Sequence, residues 1–242
     1  MRIKLDKPTM VVGDIHGMYH IVTRVLKEAI DKDYNVVFVG DYLDSRTLGT
    51  EEQMKALDVV IKYAQSLPDR VTAILGNHEW SYIDLRKMCS GWRGRTYDAI
   101  LNGGYVELMS EVMKPYVFVG DWLITHAGVS GKLLKEYNLT LDTYLKDEYY
   151  HHMIGRSRGG NCKYGAHYWC DFFNDFEPID GLNQVFGHTN CGSSPVVVEG
   201  NNSININVDC INDEGYSEIV LLMPDGAISK FDIIEIEGVY NE

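Results

Sequence analysis

Long apolar runs are absent from this sequence. No stretch approaches the ~18 uninterrupted apolar residues that suggest a membrane span, so no membrane partner is expected. The first residues, MRIKLDKPTMVVGD, hold no apolar core ending in a small-residue cleavage site. That predicts a cytoplasmic rather than an exported chain. Cysteine is sparse and badly spaced for pairing. The five cysteines, at 89, 162, 170, 191 and 210, are odd in number, and none forms a CxxC pair. This argues against a disulfide framework or a zinc knuckle and predicts reduced, mostly buried thiols. Basic side chains are outnumbered, 22 Lys and Arg against 35 Asp and Glu, for a formal net charge of -13. A surface of that sign does not grip long nucleic acid or an anionic membrane through phosphates. It leaves phosphate chemistry open, because bound metal can reverse the sign of a cleft locally. Internal repeats, low-complexity runs and long linkers are also absent.

What is present is ordinary for a globular chain of 242 residues, 45% apolar and 24% charged. One domain spanning residues 1–242 is expected. Residues 9–12, 36–39 and 71–75 are short β-branched runs, each closed by a glycine, and read as buried strands. Between them lie two helical stripes: Ile21, Val22, Val25, Leu26, Ala29 and Ile30, then Met54, Leu57, Val60, Ile61 and Ala64. Strand, helix, strand, helix, strand implies parallel pairing with right-handed crossovers. Residues 76–113 read as helical, with a glycine break at 102–104, and 117–119 and 123–125 read as a hairpin. Residues 130–150 read as helical again and 151–182 as a long ordered loop. Short strands are predicted at 184–186, 196–198, 204–208, 218–223 and 228–236, separated by turn signals. The class is α/β, with two mixed sheets packed face to face and helices outside.

Metal-ligand side chains recur just beyond the predicted strand ends. The runs are GDIHG (13–17), GDYLD (40–44), GNHE (76–79), THAG (125–128) and GHT (187–189). In α/β sheets, ligands bind in the crevice beyond the carboxyl ends of the strands, so these loops can meet in one place. Carboxylate, imidazole and amide oxygen suit manganese, iron(II), zinc or magnesium, and the lack of thiolate disfavours copper(I) or an iron–sulfur cluster. Two such ions about 3.5–4 Å apart can hold a phosphate and acidify a water between them.

These motifs, in this order, resemble the calcineurin-like metallophosphoesterases, and their spacing is similar to the phosphoprotein phosphatase branch. That branch includes bacterial and phage members and is related to symmetrical diadenosine tetraphosphate hydrolases. The resemblance runs from about residue 9 to 210. It implies a four-layer sandwich and two divalent ions, manganese foremost, with iron, zinc, nickel or magnesium as alternatives. Asp14, His16 and Asp41 would bind the first ion. Asp41 would bridge to the second, which Asn77, His126 and His188 complete. His78 would be the general acid and Asp44 its orienting partner, since a carboxylate beside an imidazole favours the proton-donating form.

Two positions depart from the family pattern. The usual GDxxDRG is here GDYLDSRTLG, so Ser45 takes the arginine's place and Arg46 follows. The arginine often found before GNHE is here Leu75. Arg46 is the first candidate to clamp the phosphate and Arg156 the second, with Arg158, Arg93 and Arg95 behind them; Asn77 also counts among the substrate-binding residues. Asn190 stands where nuclease branches carry the second histidine of GHxH, which favours the phosphatase branch. The expected function is a phosphomonoesterase acting on phosphoserine or phosphothreonine in proteins, or on related small phosphoesters. A dinucleoside polyphosphate hydrolase is the alternative, and a non-catalytic metal-binding scaffold a further one. A monomer or weak dimer is expected. His151 and His152 match no motif position, Trp169, Phe172 and Phe173 read as core packing, and the acidic run at 235, 237 and 242 reads as a solvated face.

Overall fold

The computed structural model describes residues 1–85, 87–210 and 219–231. A two-residue strand, Arg2–Ile3 (β1), comes first and carries no sequence signal of its own. The predicted alternation follows: β2 (Thr9–Val12), α1 (Tyr19–Asp31), β3 (Asn35–Phe38), α2 (Thr50–Ser66) and β4 (Val71–Ala73). The polar stretch after Gly76 divides into α3 (Asn77–Ile83), α4 (Gly94–Asn102) and α5 (Tyr105–Val112), with the last two separated at Gly103–Gly104. The hairpin is β5 (Tyr116–Val119) and β6 (Trp122–Thr125), and α6 (Gly131–Glu136) and α7 (Leu141–Lys146) follow. The remaining strands are β7 (Asn183–Phe186), β8 (Val196–Gly200), β9 (Ser203–Asn207), β10 (Ile219–Leu222) and β11 (Ile228–Phe231). Residue 218, residues 232–236 and the acidic run of the sequence reading lie outside the described residues.

The strands form two mixed sheets, β11-β10-β2-β3-β4 and β1-β5-β6-β7-β9-β8. In the first, β2, β3 and β4 are parallel, with Val11 opposite Val37 and Val37 opposite Thr72. In the second, β6, β7 and β9 are parallel, with Leu123 opposite Gln184 and Val185 opposite Ile206. Side chains alternate across a strand, and both faces of β2, β3 and β4 are covered, which explains why these three strands are almost wholly apolar, with Thr9, Asn35 and Thr72 as buried exceptions. Val11, Val37 and Val39 pack between the sheets against Val117, Ile124, Val185 and Ile206. Their neighbours Met10, Val12, Val36 and Phe38 face outward and bury the apolar stripes of α1 and α2. On the far side, Leu123 packs with Leu133, Leu134, Tyr144 and Leu145 of α6 and α7. The order is helix, sheet, sheet, helix. Ile30 is the exception to the predicted stripe: it sits in the last turn of α1 and is exposed.

Residues 151–182 form an ordered loop whose only helical piece is a single 3-10 turn, Arg156–Arg158. One buried carboxylate pins it: Asp175 accepts hydrogen bonds from Ser157 Oγ (2.8 Å) and the Gly165 N–H (2.9 Å). All five cysteines are free thiols. Among the described residues no helix is long and apolar enough to cross a membrane. The two parallel sets of strands end at one edge of the sandwich, where their loops are joined directly. The Gly187 N–H bonds the His126 carbonyl (2.6 Å), and His126 Nδ1 reaches across the sheets to the Val39 carbonyl (3.0 Å).

Candidate metal centre and active site

The loops at this edge hold their side chains in an expensive backbone geometry. His16, Asp41, Asp44 and His188 all have positive φ, at 44°, 51°, 61° and 72°. Such conformations cost about 1–3 kcal/mol each and persist where surrounding bonds over-determine them. Here the bonds run between loops: His16 N–H to the Asp41 carbonyl (2.7 Å), Gly17 N–H to the Tyr42 carbonyl (2.8 Å), and Asp44 N–H to Gln53 Oε1 (2.7 Å). Two glycines are dictated by space. A Cβ on Gly76 would lie 2.2 Å from Asp41 Oδ1, and one on Gly187 would lie 2.4 Å from Asp14 Oδ1. The glycine preceding each ligand-type residue therefore leaves room for a carboxylate from another loop.

The structure brings Asp14, His16, Asp41, Asn77, His78, His126 and His188 together around one point. Two clusters have ligand atoms within 4.8 Å of one another: His16, Asp41 and His78, and Asp41, His126 and His188. Asp41 belongs to both. Asp14 lies beneath them, its two oxygens each 3.2 Å from the His188 N–H. Burial, then the Asp209 and Asp41 carboxylates, push the Asp14 carboxyl well above the usual range. Burial and Glu79 do the same to Asp41. Burial holds the imidazoles neutral, lowering His16 to about 4 and His126 to about 3. Crowded carboxylates and neutral imidazoles are what a divalent cation requires of its ligands.

The donor set tests this fit atom by atom. His126 donates its Nδ1 proton to the Val39 carbonyl, so Nε2 presents a lone pair. Nε2 lies 2.8 Å from Asn77 Oδ1, 3.1 Å from His188 Nδ1 and 3.4 Å from Asp41 Oδ2. One proton can bridge only one of these pairs, whereas a cation satisfies all four. His16 behaves alike: its Nδ1 bonds the Leu43 carbonyl (2.8 Å), leaving Nε2 for the centre. Both histidines are thus oriented by backbone carbonyls, the usual second partner of a ligating imidazole.

His78 is arranged differently. Its Nδ1 meets Asp44 Oδ2 at 2.9 Å, and the other Asp44 oxygen accepts from the Tyr82 hydroxyl. Nε2 therefore opens on the cleft, 3.7 Å from Asp41 Oδ2. The cleft has a volume of about 620 Å³, and His16, Asp41, Asp44, Asn77, His78 and His188 line it.

The arginines separate. Arg46 and Arg158 line the cleft, whereas Arg156 is exposed on the 3-10 turn outside it. Arg158 is held from behind, its Nε 3.0 Å from Asp171 Oδ2 and its Nη2 2.5 Å from Thr189 Oγ1. Arg93 is spent on the loop, donating to the carbonyls of Ser45, Arg46 and Leu48. Ser45 accounts for the local change from the usual motif, because its hydroxyl accepts from the Thr47 and Leu48 N–H groups and closes a tight turn. Leu75 is buried in the core. His151 is buried and bonds the Tyr144 carbonyl, and His152 stacks on Trp80. Phe172 is buried, Phe173 is exposed, and Trp169, though buried, lines the cleft.

Several residues at this edge escaped the sequence reading. Glu79 accepts from the N–H groups of Asp41, Tyr42, Leu43 and Gly76. Burial pushes its carboxyl up to about 7, while the donors from Leu43 and Tyr42 pull it down. Asp209, after β9, lines the cleft and is pushed up to about 6 by burial. Cys89 bonds both ends of Asn77: its Sγ accepts from Nδ2 (3.1 Å) and donates to the carbonyl (3.3 Å). Burial pushes the thiol up to about 12, so it acts as a hydrogen-bonding group rather than a nucleophile. It fixes which amide atom of Asn77 faces His126. Cys89→Val keeps the volume and removes both bonds, and is expected to weaken manganese binding about 10–100-fold, the usual effect of losing an outer partner. Cys89→Ser should retain binding. Calorimetric titration of both variants decides it, and tight binding by the valine variant would contradict the role.

Comparison with known proteins follows the same line. A model of the calcineurin-like phosphoesterase family matches residues 7–192. Solved structures share the fold. A protein serine/threonine phosphatase from Saccharomyces cerevisiae has TM-score 0.58 at 13% identity, covering 97% of this chain and 84% of its own. A cold-active protein-tyrosine phosphatase from a psychrophilic Shewanella has TM-score 0.54 at 16% identity, covering 96% and 82%. A putative diadenosine tetraphosphatase has TM-score 0.50 at 16% identity, covering 95% and 96%.

Proposed function

The chain belongs to the calcineurin-like phosphoesterase family and is a metal-dependent phosphatase by that membership, and from that premise we propose that it is a dinuclear-metal phosphomonoesterase. The observation that carries this reading is the single carboxylate, Asp41, common to two clusters of ligand atoms. Asp14, His16 and Asp41 would hold one ion, and Asp41, Asn77, His126 and His188 a second. Two divalent ions there supply positive charge that polarises a phosphate and acidifies water. Manganese is the first choice for this oxygen and imidazole donor set, with iron, zinc, nickel and magnesium as alternatives.

The chain's own residues do the rest. His78, with Nδ1 fixed on Asp44, presents Nε2 to the cleft as a proton donor for the departing oxygen. Arg158, braced by Asp171 and Thr189, and Arg46 on the opposite loop offer guanidinium groups to phosphate oxygens. The cleft is open enough for a phosphoserine or phosphothreonine side chain. A dinucleoside polyphosphate is the second reading, favoured by an aromatic-walled cavity that adjoins the cleft.

The purified protein is expected to hydrolyse p-nitrophenyl phosphate with added manganese and to stop with a chelator. No hydrolysis with manganese, iron, zinc, nickel or magnesium would sink the proposal. Arg158→Ala is expected to lower kcat/KM about ten- to a hundredfold, since a hydrogen bond to a charged group contributes ~1.5–3 kcal/mol. Arg46→Ala, at a more exposed position, should cost less. Arg156→Ala is the comparison, and an effect as large as that of Arg158→Ala would return the clamp to Arg156.

A further inference from the structure

Seven carboxylates are buried among the described residues, and six of them accept hydrogen bonds: Asp14, Asp41, Asp44, Glu79, Asp171 and Asp175. The seventh, Asp209, is 7% exposed and lines the cleft, yet its carboxylate oxygens accept none among the described residues. A buried charge without partners costs stability and calls for a physical reason. Resting on the metal centre proposed above, we infer that Asp209 is a further carboxylate of that centre, joining Asp14, His16 and Asp41 in holding one ion.

The fold puts Asp209 where a ligand belongs. The parallel strands β2, β3, β4, β6 and β7 are each followed by a residue assigned to the ions, and β9 runs parallel to β7 toward the same edge. Asp209 stands two positions beyond Asn207, the last residue of β9, as His188 stands two beyond Phe186 of β7. Phe186 and Asn207 are register partners, and the Val208 N–H continues the pairing to the Phe186 carbonyl (2.8 Å). Asp209 and His188 therefore leave adjacent strands at the same height. The backbone is fixed there. The Asp209 carbonyl accepts from the Cys191 N–H (2.9 Å) and Sγ–H (3.1 Å), and its N–H donates to Asn207 Oδ1 (3.0 Å). The position is pinned while the carboxylate is left unclaimed.

The surrounding charges favour a cation. After burial, the Asp209 charge does most to push the Asp14 carboxyl up, and it pushes Asp41 up as well. Arg158 and then His78 are the groups that favour ionised Asp209. Arg158 already has its own partners, Asp171 at 3.0 Å and Thr189 at 2.5 Å. His188 Nε2, on the adjacent loop, has no hydrogen-bond partner among the described residues, so Asp209 does not serve to orient that imidazole. Three carboxylates gathered in one buried place repel one another, and a divalent ion turns that cost into affinity, because a site must offer its ligands deprotonated.

Manganese binding to the full-length protein, stripped of metal and free of substrate, is the test. Asp209→Asn keeps the shape and removes the charge. By calorimetry it should weaken one of the two manganese sites about 10–100-fold and leave the other unchanged. The melting temperature of the metal-free variant should rise by about 2–4 °C as the repulsion is relieved, and manganese should raise it less than it raises wild type. A merely structural carboxylate would lower stability with or without metal. In an Arg158→Ala background, Asp209→Asn should weaken manganese by the same factor. Unchanged manganese affinity, a less stable metal-free variant, or an effect that disappears with Arg158→Ala would overturn the inference. Turnover of p-nitrophenyl phosphate by wild type, with equal manganese binding in both proteins, would remove Asp209 from the centre and keep the phosphatase. Weakened manganese binding in the variant, with no phosphoester turned over by wild type, would keep Asp209 and remove the phosphatase reading. A wild-type protein that binds no manganese would remove both.

Discussion

His78→Asn is expected to lower kcat by about 10²–10⁴-fold, the usual worth of a positioned general acid, while bound metal and KM stay close to wild type. The reason lies in how the ring is held. Asp44 accepts from Nδ1 at 2.9 Å and is itself held by Tyr82 and by Gln53, which takes the Asp44 N–H at 2.7 Å. An asparagine can keep the bond to Asp44 through its amide N–H, so the loop keeps its anchor. What it loses is Nε2, the atom that opens on the cleft. The leaving group makes the test specific. Nitrophenolate departs readily without a proton, whereas the alkoxide of phosphoserine does not. The loss should therefore be far larger for an alkyl phosphate than for p-nitrophenyl phosphate. Because His78 also lies in a ligand-type cluster with His16 and Asp41, metal content must be measured alongside. An equal loss for both leaving groups, together with lost metal, would make His78 a ligand and not an acid.

What the sequence made legible follows from period and punctuation. Residues 9–12, 36–39 and 71–75 are apolar except at Thr9 and Thr72 because both faces of β2, β3 and β4 are buried, and the glycines after them mark the loops where ligand-type side chains stand. Parallel strands place those loops at one edge, so Asp14, Asp41 and Asn77 were bound to be neighbours. The pairing of β6, β7 and β9 was not legible, because short strands separated by long irregular segments carry no order in their period. Nor could the partners be read. Glu79 meets Asp41 and Tyr42 across more than thirty residues, and Cys89 meets Asn77 across a turn that looks like any loop. Arg156 and Arg158 sit two residues apart on one 3-10 turn, and only the path of the chain turns one into the cleft and the other to solvent. The same holds for Trp80 and His152, which the sequence places far apart and the fold stacks into one wall.

Glu79→Gln is expected to destabilise the metal-free protein by about 3–5 kcal/mol, through buried donors left without acceptors. Glu79 is fully buried, and each of its oxygens serves two backbone N–H groups. Oε2 accepts from Asp41 (2.9 Å) and Gly76 (3.2 Å), and Oε1 from Tyr42 (2.8 Å) and Leu43 (3.1 Å). A glutamine replaces one oxygen with an amide N–H₂, which sets donor against donor at two of the four positions. The groups so exposed are the backbone that holds Asp41 at φ 51°, a conformation that needs its bonds to persist. The loop should therefore relax toward an ordinary turn and draw Asp41 away from both clusters. Urea denaturation should show the loss in midpoint with an unchanged slope, since the surface exposed on unfolding is the same. Calorimetry should show manganese affinity falling with it, although Glu79 itself touches no ion site. A Glu79→Gln variant of wild-type stability that still binds manganese tightly would mean that the carboxylate does not hold the loop.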